Sequence, residues 1–457
     1  MKRAVPYLFV VGLFGLFACN NLLTRGMFMD GLIYTSVADN MANGIGSFWH
    51  PTYTATQFPD FYEHPPLMMW LLSLWFSLFG TSMMAAKAYS VVVLLLTAVL
   101  LTAVWKQLGF KTSLGWLPLL MLTLIPDVVL AAHNNYLEGT MTVFVLAAVW
   151  FVLRGKGAGW HLLAGLMLAL AFLTKGPTGL FPLALPLLMW LFGERKGFGT
   201  MIGGTLMIAL GLAAPMAALW FAVPDAAEFL TKYVNNQVID GSQVQITSRT
   251  YVVTTLFTHT FVVLLIALAA ALFGLLNKKA PWRPTRDSWR RAGLMFALAL
   301  CGTLPMMVST KQRAFYLLTV FPIVALAVAA LLEPLVRHNE KNLQRPAMTV
   351  ATVAVLVAAV VANALHWQKP GRDNVMLADM DQIAPSLQEG ETVSISPDLA
   401  SDNSLQGYYY FYHHVTLDPE GEHRHLLTTA AEVDNAYREV SLPTEEYKLY
   451  ELKTEKI

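Results

Sequence analysis

Long apolar intervals separated by short polar ones dominate the sequence. The chain is 56% hydrophobic and 13% charged, and this is more apolar than a soluble core of its size requires. Eleven intervals have roughly the 15 to 25 residues that a helix needs to cross about 30 Å of hydrocarbon. The predicted spans lie near 5–23, 84–105, 112–132, 137–153, 160–174, 177–193, 198–222, 251–276, 292–309, 314–332 and 347–365. The pattern predicts an all-α polytopic membrane protein.

One further apolar stretch, from Pro66 to Phe79, is short for a span at about 14 residues. We predict that it forms a helix lying at the membrane interface, with Trp70 and Trp75 at the level of the lipid headgroups.

The placement of Lys and Arg predicts the orientation of the spans. With the N-terminus inside, every inner loop carries basic residues, as the positive-inside rule requires. These residues are Lys106, Lys111, Arg154, Lys156, Arg195, Lys196, Lys278, Lys279, Arg283, Arg286, Arg290, Arg291, Arg337, Lys341 and Arg345. The same orientation puts five segments on the outer face: residues 24–65, the loop from His133 to Glu138, the turn at Lys175, residues 223–250 and the turn 309–313.

The chain becomes polar after the last predicted span. Residues 366–457 contain two strand-like segments, Thr392 to Ser396 and Tyr447 to Lys453, and an aromatic run from Tyr408 to Tyr412. We therefore predict a transmembrane domain over residues 1–365 and a small α/β domain on the outer face over residues 366–457.

Acidic residues in the outer segments are the first candidates for chemistry. Asp30 directly follows the first span, Glu63 and His64 precede the pair Pro65-Pro66, and Glu138 begins a predicted helix. Each also has a structural alternative, because an acid stabilises a helix N-terminus and proline opens a helix. Glu63 and His64 are only weak metal-ligand candidates, since adjacent residues rarely supply more than two ligands. The sequence predicts no definite cofactor and leaves a divalent metal open.

Cations in the outer turns are the second group of candidates. Lys175 interrupts two apolar segments, where a lysine is costly unless it reaches water or meets an anion. The turn from Ser309 to Arg313 contains Lys311 and Arg313, and phosphate is the natural partner for such a pair. His259, within a span, is more readily read as a core histidine.

These segments together resemble the polytopic glycosyltransferases of the GT-C fold, specifically the group of dolichyl-phosphate-mannose protein mannosyltransferases and aminoarabinose transferases (ArnT). The resemblance extends over most of residues 1–330 and depends on the order and spacing of modest motifs. They are Asp30, Glu63-His64-Pro65-Pro66-Leu67 with Trp70 and Phe79-Gly80, Phe172-Leu173-Thr174-Lys175-Gly176-Pro177, and Ser309 to Arg313 with Tyr316 and Pro322.

The resemblance implies transfer of a sugar from a polyprenyl phosphate carrier to a lipid, glycan or protein acceptor, with inversion at the anomeric carbon. Asp30 and Glu138 would be the catalytic acids. Glu63, His64, Lys175, Lys311, Arg313 and Tyr316 would bind the substrates. The protein would lie in a bacterial inner membrane with its active site on the periplasmic face, among membrane lipids and without a nucleic-acid partner.

Four positions depart from the family pattern. Gly31 follows Asp30 where the family commonly has Glu, and His64 stands where ArnT-like members have Lys. Glu138 replaces an Asp, and residues 233–237 lack the zinc-binding His of some relatives.

Two other classes of protein remain open from the sequence. A transporter or flippase for lipid-linked sugars would share the helices and the outer cations, but should have internal repeats and broken helices in both halves. A structural subunit would need no acids on the outer face. An oligosaccharide ligase would differ from a glycosyltransferase mainly in the size of the donor.

Overall fold

A computed structural model describes residues 4–155, 157–195, 197–239, 246–276, 284–340, 345–430 and 433–453. The α-helices of these residues are α1 Val5–Ala18, α2 Met29–Ala42, α3 Leu67–Phe79, α4 Met83–Gln107, α5 Trp116–Thr123, α6 Pro126–Ala131, α7 Leu137–Arg154, α8 Ala158–Lys175, α9 Leu185–Leu191, α10 Phe198–Ala222, α11 Pro224–Tyr233, α12 Tyr251–His259, α13 Phe261–Leu276, α14 Arg286–Thr303, α15 Phe321–His338, α16 Pro346–Leu365, α17 Asn374–Ile383 and α18 Asn403–His413. The strands are β1 Thr392–Ile395, β2 Thr416–Asp418, β3 His425–Thr428, β4 Tyr437–Glu439 and β5 Lys448–Leu452.

Most of the predicted spans are helices long enough to cross a membrane. Among the described residues, seven helices are sufficiently long and apolar, and the bent pair α12 and α13 raises this to eight. They are α4, α7, α8, α10, α14 with the 3₁₀ turn after it, α15 and α16. The protein is therefore an integral membrane protein of predominantly α-helical structure.

The other three predicted spans are shorter apolar helices. Residues 5–23 give only the 14-residue α1, because the helix ends at Ala18. Residues 112–132 divide into α5 and α6 at Pro126, since proline lacks the N–H that would continue a helix. Residues 177–193 begin with two 3₁₀ turns, Pro177–Gly179 and Phe181–Ala184, before α9. The intervals are apolar as predicted, but not each is one continuous helix.

Two helices lie between α1 and α4. The predicted helix after Asp30 is α2, and the short apolar stretch is α3, whose 13 residues are too few for a span. Trp75 of α3 donates a hydrogen bond from Nε1 to the carbonyl of Ala85 at 2.9 Å, which ties α3 to the start of α4.

The C-terminal region is a small α/β unit, as predicted. Its sheet has the strand order β2-β1-β3-β5-β4, with β1 parallel to β2 and β3 and the remaining pairs antiparallel. The predicted strand-like segments are β1 and β5, while the aromatic run belongs to α18. The domain boundary at residue 365 stays a prediction, because one hydrophobic cluster joins the sheet to α2 and α3. Its members include Leu32, Val37, Met68, Leu72, Tyr408, Val393 and Leu417.

Part of the predicted inner-face charge lies outside the described residues, namely Lys156, Lys196, Lys278, Lys279, Arg283 and Lys341. At the same end of the helices, Arg195 donates a hydrogen bond to the carbonyl of Val152 at 2.7 Å, and Arg290 pairs with Glu194 at 3.1 Å. The orientation of the protein in its membrane stays a prediction.

Candidate active site

The eight residues selected from the sequence come together from five separate segments. Asp30 is in the first turn of α2, and Glu138 is in the first turn of α7. Lys175 is the last residue of α8. Glu63 and His64 are in the loop before α3, Lys311 and Arg313 are in the turn before the 3₁₀ helix Ala314–Thr319, and Tyr316 is within that helix.

A buried ion pair between Glu138 and Lys175 forms the floor of this site. The two residues are 1% and 6% exposed, and the Lys175 ammonium donates a hydrogen bond to the Glu138 carboxylate. The same ammonium lies 4.4 Å from the ring centroid of Tyr316, at cation–π distance. Lys175 therefore ends inside the site, and the alternative that it extends away to water is wrong.

Gly176 allows the chain to turn immediately after Lys175. Its φ is +88°, and a Cβ atom here would lie 1.9 Å from the hydroxyl oxygen of Tyr233. That hydroxyl donates a hydrogen bond to the Lys175 carbonyl at 3.1 Å. A side chain at this position would be strained by the backbone and would also displace Tyr233. The Lys-Gly-Pro motif thus fixes the end of α8 against the last residue of α11.

Asp30 is partly exposed and faces three cations. Burial raises the pKa of its carboxyl, while the positive charges of Lys175, Arg313 and Lys311 act in the opposite direction. Within the described part of the chain, neither a hydrogen bond nor an ion pair engages the Asp30 side chain. A position in the first turn of α2 also fits the alternative of a stabilising N-terminal acid.

The glycine after Asp30 has a steric explanation. A Cβ atom on Gly31 would lie 2.2 Å from the carbonyl oxygen of Asn134. In addition, the Asn134 side chain accepts a hydrogen bond from the backbone N–H of Phe28 at 2.7 Å. The start of α2 is thus packed directly onto the loop before α7, and a larger residue at position 31 would separate the two acids.

Gln237 links Glu63 to Lys311. Its side-chain nitrogen donates to the Glu63 carboxylate, and its side-chain oxygen accepts a hydrogen bond from the Lys311 ammonium at 3.0 Å. Burial raises the pKa of the Glu63 carboxyl, against the lowering effects of Lys311 and of the Gln237 hydrogen bond. Three segments that are distant in the sequence are therefore joined through one amide.

His64 is held neutral beside these cations. Burial lowers the pKa of its imidazole well below the ordinary value, and Lys175 and Lys311 lower it further. The ring packs edge-to-face on Tyr34, with 5.8 Å between centroids, and Nδ1 is buried without a hydrogen-bond partner in the described residues. Burial also raises the pKa of Tyr34, and the carboxylates of Asp30, Glu138 and Glu63 add to this effect. Tyr34 therefore remains a hydrogen-bond donor.

Arg313 is exposed at the edge of the site. Beside it, Phe315 stacks on Tyr136 at 4.8 Å, and both rings contact Phe28. Tyr136 also lines a small adjoining pocket between α4, α6 and α7, whose other lining side chains include Tyr89, Ser90, Val93, Leu94 and Thr140.

Two expectations concerning histidine and metal can be compared with the geometry. His259 pairs with the buried carboxylate of Asp127, so its ring is satisfied as expected, but its side chain is 34% exposed and does not lie in the core. In the segments that the structure describes, no group of three or more His, Cys, Asp or Glu side chains is arranged to hold a metal ion. Glu63 and His64 thus have no third ligand of these types among those residues.

Tyr34 and Gln237 are the site residues that the sequence did not reveal. Tyr34 follows Asp30 by four positions and so lies on the same face of α2, which is a signal that could have been used. Gln237 is within a π-helical turn, Val234–Ile239, and such turns are frequent at functional sites but have no sequence signature.

Comparison with known proteins adds a sequence relationship to this geometry. Residues 63–221 match the family described as dolichyl-phosphate-mannose-protein mannosyltransferase. The undecaprenyl phosphate-alpha-4-amino-4-deoxy-L-arabinose arabinosyl transferase of Pseudomonas paraeruginosa is 27% identical over 237 residues. This match covers 48% of the chain and 41% of the relative, which is less than half of its length.

Solved structures share the fold over nearly the whole chain. ArnT from Cupriavidus metallidurans in the apo state has a TM-score of 0.66 at 14% identity, with 97% of each chain covered. The same protein bound to undecaprenyl phosphate has a TM-score of 0.63 at 14% identity, with 96% of each chain covered. The oligosaccharyltransferase of Archaeoglobus fulgidus reaches 0.53 at 12% identity, covering 94% of this chain and 68% of that one. The chain is an ArnT-like and protein-mannosyltransferase-like protein of the GT-C fold.

Proposed function

We propose that this ArnT-like chain of the GT-C fold is a glycosyltransferase that moves a sugar from a polyprenyl phosphate carrier to an acceptor hydroxyl. The observation that carries the proposal is the position of Asp30, a carboxylate without a described protein partner that faces Lys175, Lys311 and Arg313. Such an arrangement offers a base for an acceptor and a cationic surface for a phosphate. The relative from Cupriavidus metallidurans binds undecaprenyl phosphate, which agrees with a donor of this class.

Asp30 acts as the general base in this proposal. It takes the proton of the acceptor hydroxyl as the oxygen attacks the anomeric carbon, and positioned carboxylates contribute about 10²- to 10⁴-fold in this role. A single displacement from the side opposite the phosphate inverts the anomeric carbon. The raised pKa of Asp30 suits a base because it increases the affinity of the carboxylate for that proton.

The cations stabilise the departing phosphate. Lys311 and Arg313 reach the site from one turn and would hold the phosphate oxygens through charge-assisted hydrogen bonds. Lys175 adds a positive charge fixed in position by Glu138, so little reorganisation is needed as negative charge grows on the leaving oxygen. The sequence predicts Glu138 as a second catalytic acid. In this proposal it contributes to catalysis through Lys175.

Glu63, His64 and Tyr316 complete the substrate cavity. Glu63 and Gln237 hold Lys311, the neutral His64 offers a hydrogen bond from its otherwise unpartnered ring, and Tyr316 covers Lys175. We place the site on the periplasmic face of a bacterial inner membrane, where lipids, glycans and proteins are the acceptors to examine.

The test is transfer by the purified protein in liposomes that contain polyprenyl-phosphate-linked sugars, with envelope lipids, glycans and proteins as acceptors. We expect Asp30→Asn to lower the transfer rate by about 10²- to 10⁴-fold while leaving the folded protein intact, because the amide cannot accept the proton. Full activity in that variant would remove Asp30 from the mechanism.

The control is Lys448→Ala, which removes an exposed cation from the C-terminal sheet, paired only loosely with Glu439 at 3.9 Å. We expect wild-type transfer from it. Mass spectrometry of the envelope with and without the protein would then identify the sugar and the acceptor.

A further inference from the structure

The helix that carries Asp30 does not secure its own N-terminus. The N-cap residue of α2 is Phe28, whose side chain accepts no hydrogen bond from the N–H groups of the first turn. Residues such as Ser, Asp or Asn usually provide this at a helix start. The position of Asp30 therefore depends on contacts made from elsewhere in the fold.

Helix α18 of the C-terminal region supplies contacts at the entrance to α2. The hydroxyl of Tyr408 accepts a hydrogen bond from the backbone N–H of Met27 at 2.9 Å. Its own proton can go to the Met27 carbonyl at 3.0 Å or to the Asp373 carboxylate at 2.8 Å. One turn later, the Tyr412 hydroxyl donates to the Arg25 carbonyl at 2.8 Å. Two tyrosines thus hold the backbone three and five residues before Asp30.

The same helix also contacts the first turn and the end of α2. A Cβ atom on Gly407 would lie 2.9 Å from Cβ of Leu32, so the two helices touch closely at this point. Near the end of α2, the Tyr410 hydroxyl donates to Oδ1 of Asn40 at 2.9 Å. The amide nitrogen of Asn40 in turn donates to the carbonyls of Thr52 and Tyr53. Helix α18 is consequently fixed to the residues before α2, to its first turn and to its end.

We propose that α18 is the positioning element for Asp30 and that Tyr408 is its principal residue. This inference rests on the proposed function, because it assigns the C-terminal region the task of holding the catalytic carboxylate. Tyr408 is 0% exposed, and removing its hydroxyl leaves the N–H of Met27 without its partner. A misplacement of about 1 Å in a catalytic group can lower a rate by about 100-fold.

The neighbouring residue provides a matched control. Tyr409 is 1% exposed and its hydroxyl is buried without a hydrogen-bond partner in the described residues. Tyr408→Phe and Tyr409→Phe therefore each remove one buried hydroxyl from adjacent positions of one helix. We expect Tyr408→Phe to lower kcat by about 10-fold or more, with the KM for the donor within about twofold of wild type. Tyr409→Phe should retain the wild-type kcat.

A double variant separates positioning from general stability. If Tyr408 acts through Asp30, then Tyr408→Phe should not lower the residual rate of Asp30→Asn any further. An equal kcat in the two phenylalanine variants would overturn the proposal. The proposal would also be overturned if Tyr408→Phe lowered the rate of Asp30→Asn by the same factor as it lowers the rate of the wild-type protein.

A measurement without catalysis distinguishes failure of this inference from failure of the proposed function. Hydrogen exchange of the backbone over residues 25–34 should be faster in Tyr408→Phe than in Tyr409→Phe, even if the wild-type protein transfers no sugar. Equal exchange would refute the positioning role. If Tyr408→Phe does not fold, Tyr412→Phe takes its place, since it removes only the hydrogen bond to Arg25.

Discussion

The two carboxylates of the site have opposite surroundings. Glu138 is almost fully buried and bound to the Lys175 ammonium. Asp30 is partly exposed, and within the described residues its charge faces cations without a direct bond to any of them. Both acids lie at the start of a helix, but their different surroundings suit them to different roles. A carboxylate engaged in a buried pair supports the structure, whereas one with unused hydrogen-bonding capacity can receive a ligand.

The first prediction separates these two roles by activity. Asp30→Asn should lower the transfer rate by about 10²- to 10⁴-fold with little change in thermal stability, because the carboxylate bonds no described group. Glu138→Gln should instead lower stability, since it leaves the Lys175 charge buried without its partner. Rates per folded molecule and thermal melting in detergent would be compared for both. A Glu138→Gln variant as stable as the wild type would contradict this division, because the carboxylate would then not be needed to support the structure.

The second prediction concerns the buried pair itself. Lys175→Met should reduce the free energy of unfolding by about 3–5 kcal/mol, because an uncompensated carboxylate remains in the interior. The double variant Lys175→Met with Glu138→Gln should recover a large part of that loss. Chemical denaturation of the three variants would give the coupling energy. Additive effects in the double variant would mean that the two charges do not stabilise each other.

The third prediction examines the cations on the open side. Lys311→Ala should weaken donor binding by about 10- to 150-fold, the value of one hydrogen bond to a charged group. Titration with the polyprenyl phosphate donor would measure it, with Lys448→Ala as the matched loss of a lysine outside the site. Unchanged donor affinity in Lys311→Ala would refute its role in holding the phosphate.

The fourth and smallest effect is on the pH dependence. Burial raises the pKa of Asp30, so the base is protonated and lost at a higher pH than the ordinary value of about 3.9 would give. The rate should fall on the acidic side through that raised pKa. Arg313→Ala removes a charge that lowers the pKa, and should move the acidic limb of the pH–rate profile to higher pH. A pH–rate profile that stays in place would show that Arg313 does not act on Asp30.

The raised pKa of Asp30 makes stability change with pH in the opposite direction from the transfer rate. A carboxyl whose pKa is raised by folding binds its proton more tightly in the folded state. Its contribution to the free energy of unfolding therefore decreases as the pH rises above the unfolded pKa.

Much of the architecture was predictable because it depends on local composition. Apolar intervals of sufficient length form helices in a membrane, since every backbone polar group must then be satisfied within its own segment. The strand-like segments β1 and β5 were also predicted from residue pattern alone. The breaks at Pro126 and Pro177 were visible in the sequence, but whether a proline ends a span or only bends it depends on neighbouring helices.

The candidate residues were predictable for a similar reason, while their connections were not. A charge in an apolar chain is costly, and Asp30, Glu138, Lys175 and Lys311 were conspicuous for that reason. Gln237 and Tyr34 carry no such cost in the sequence and were overlooked, although the first bridges Glu63 to Lys311 and the second shares a face of α2 with Asp30.

The sequence by itself determined the class of protein, the positions of most helices and the short set of ionisable residues capable of chemistry, because each follows from the free energy of placing a residue in hydrocarbon. Only the tertiary structure decided which acid is paired and which is open. It also decided that the C-terminal helix α18 holds the start of α2. The first outcome depends on a pair of residues 37 positions apart and the second on contacts between residues more than 380 positions apart, and no local pattern specifies such contacts.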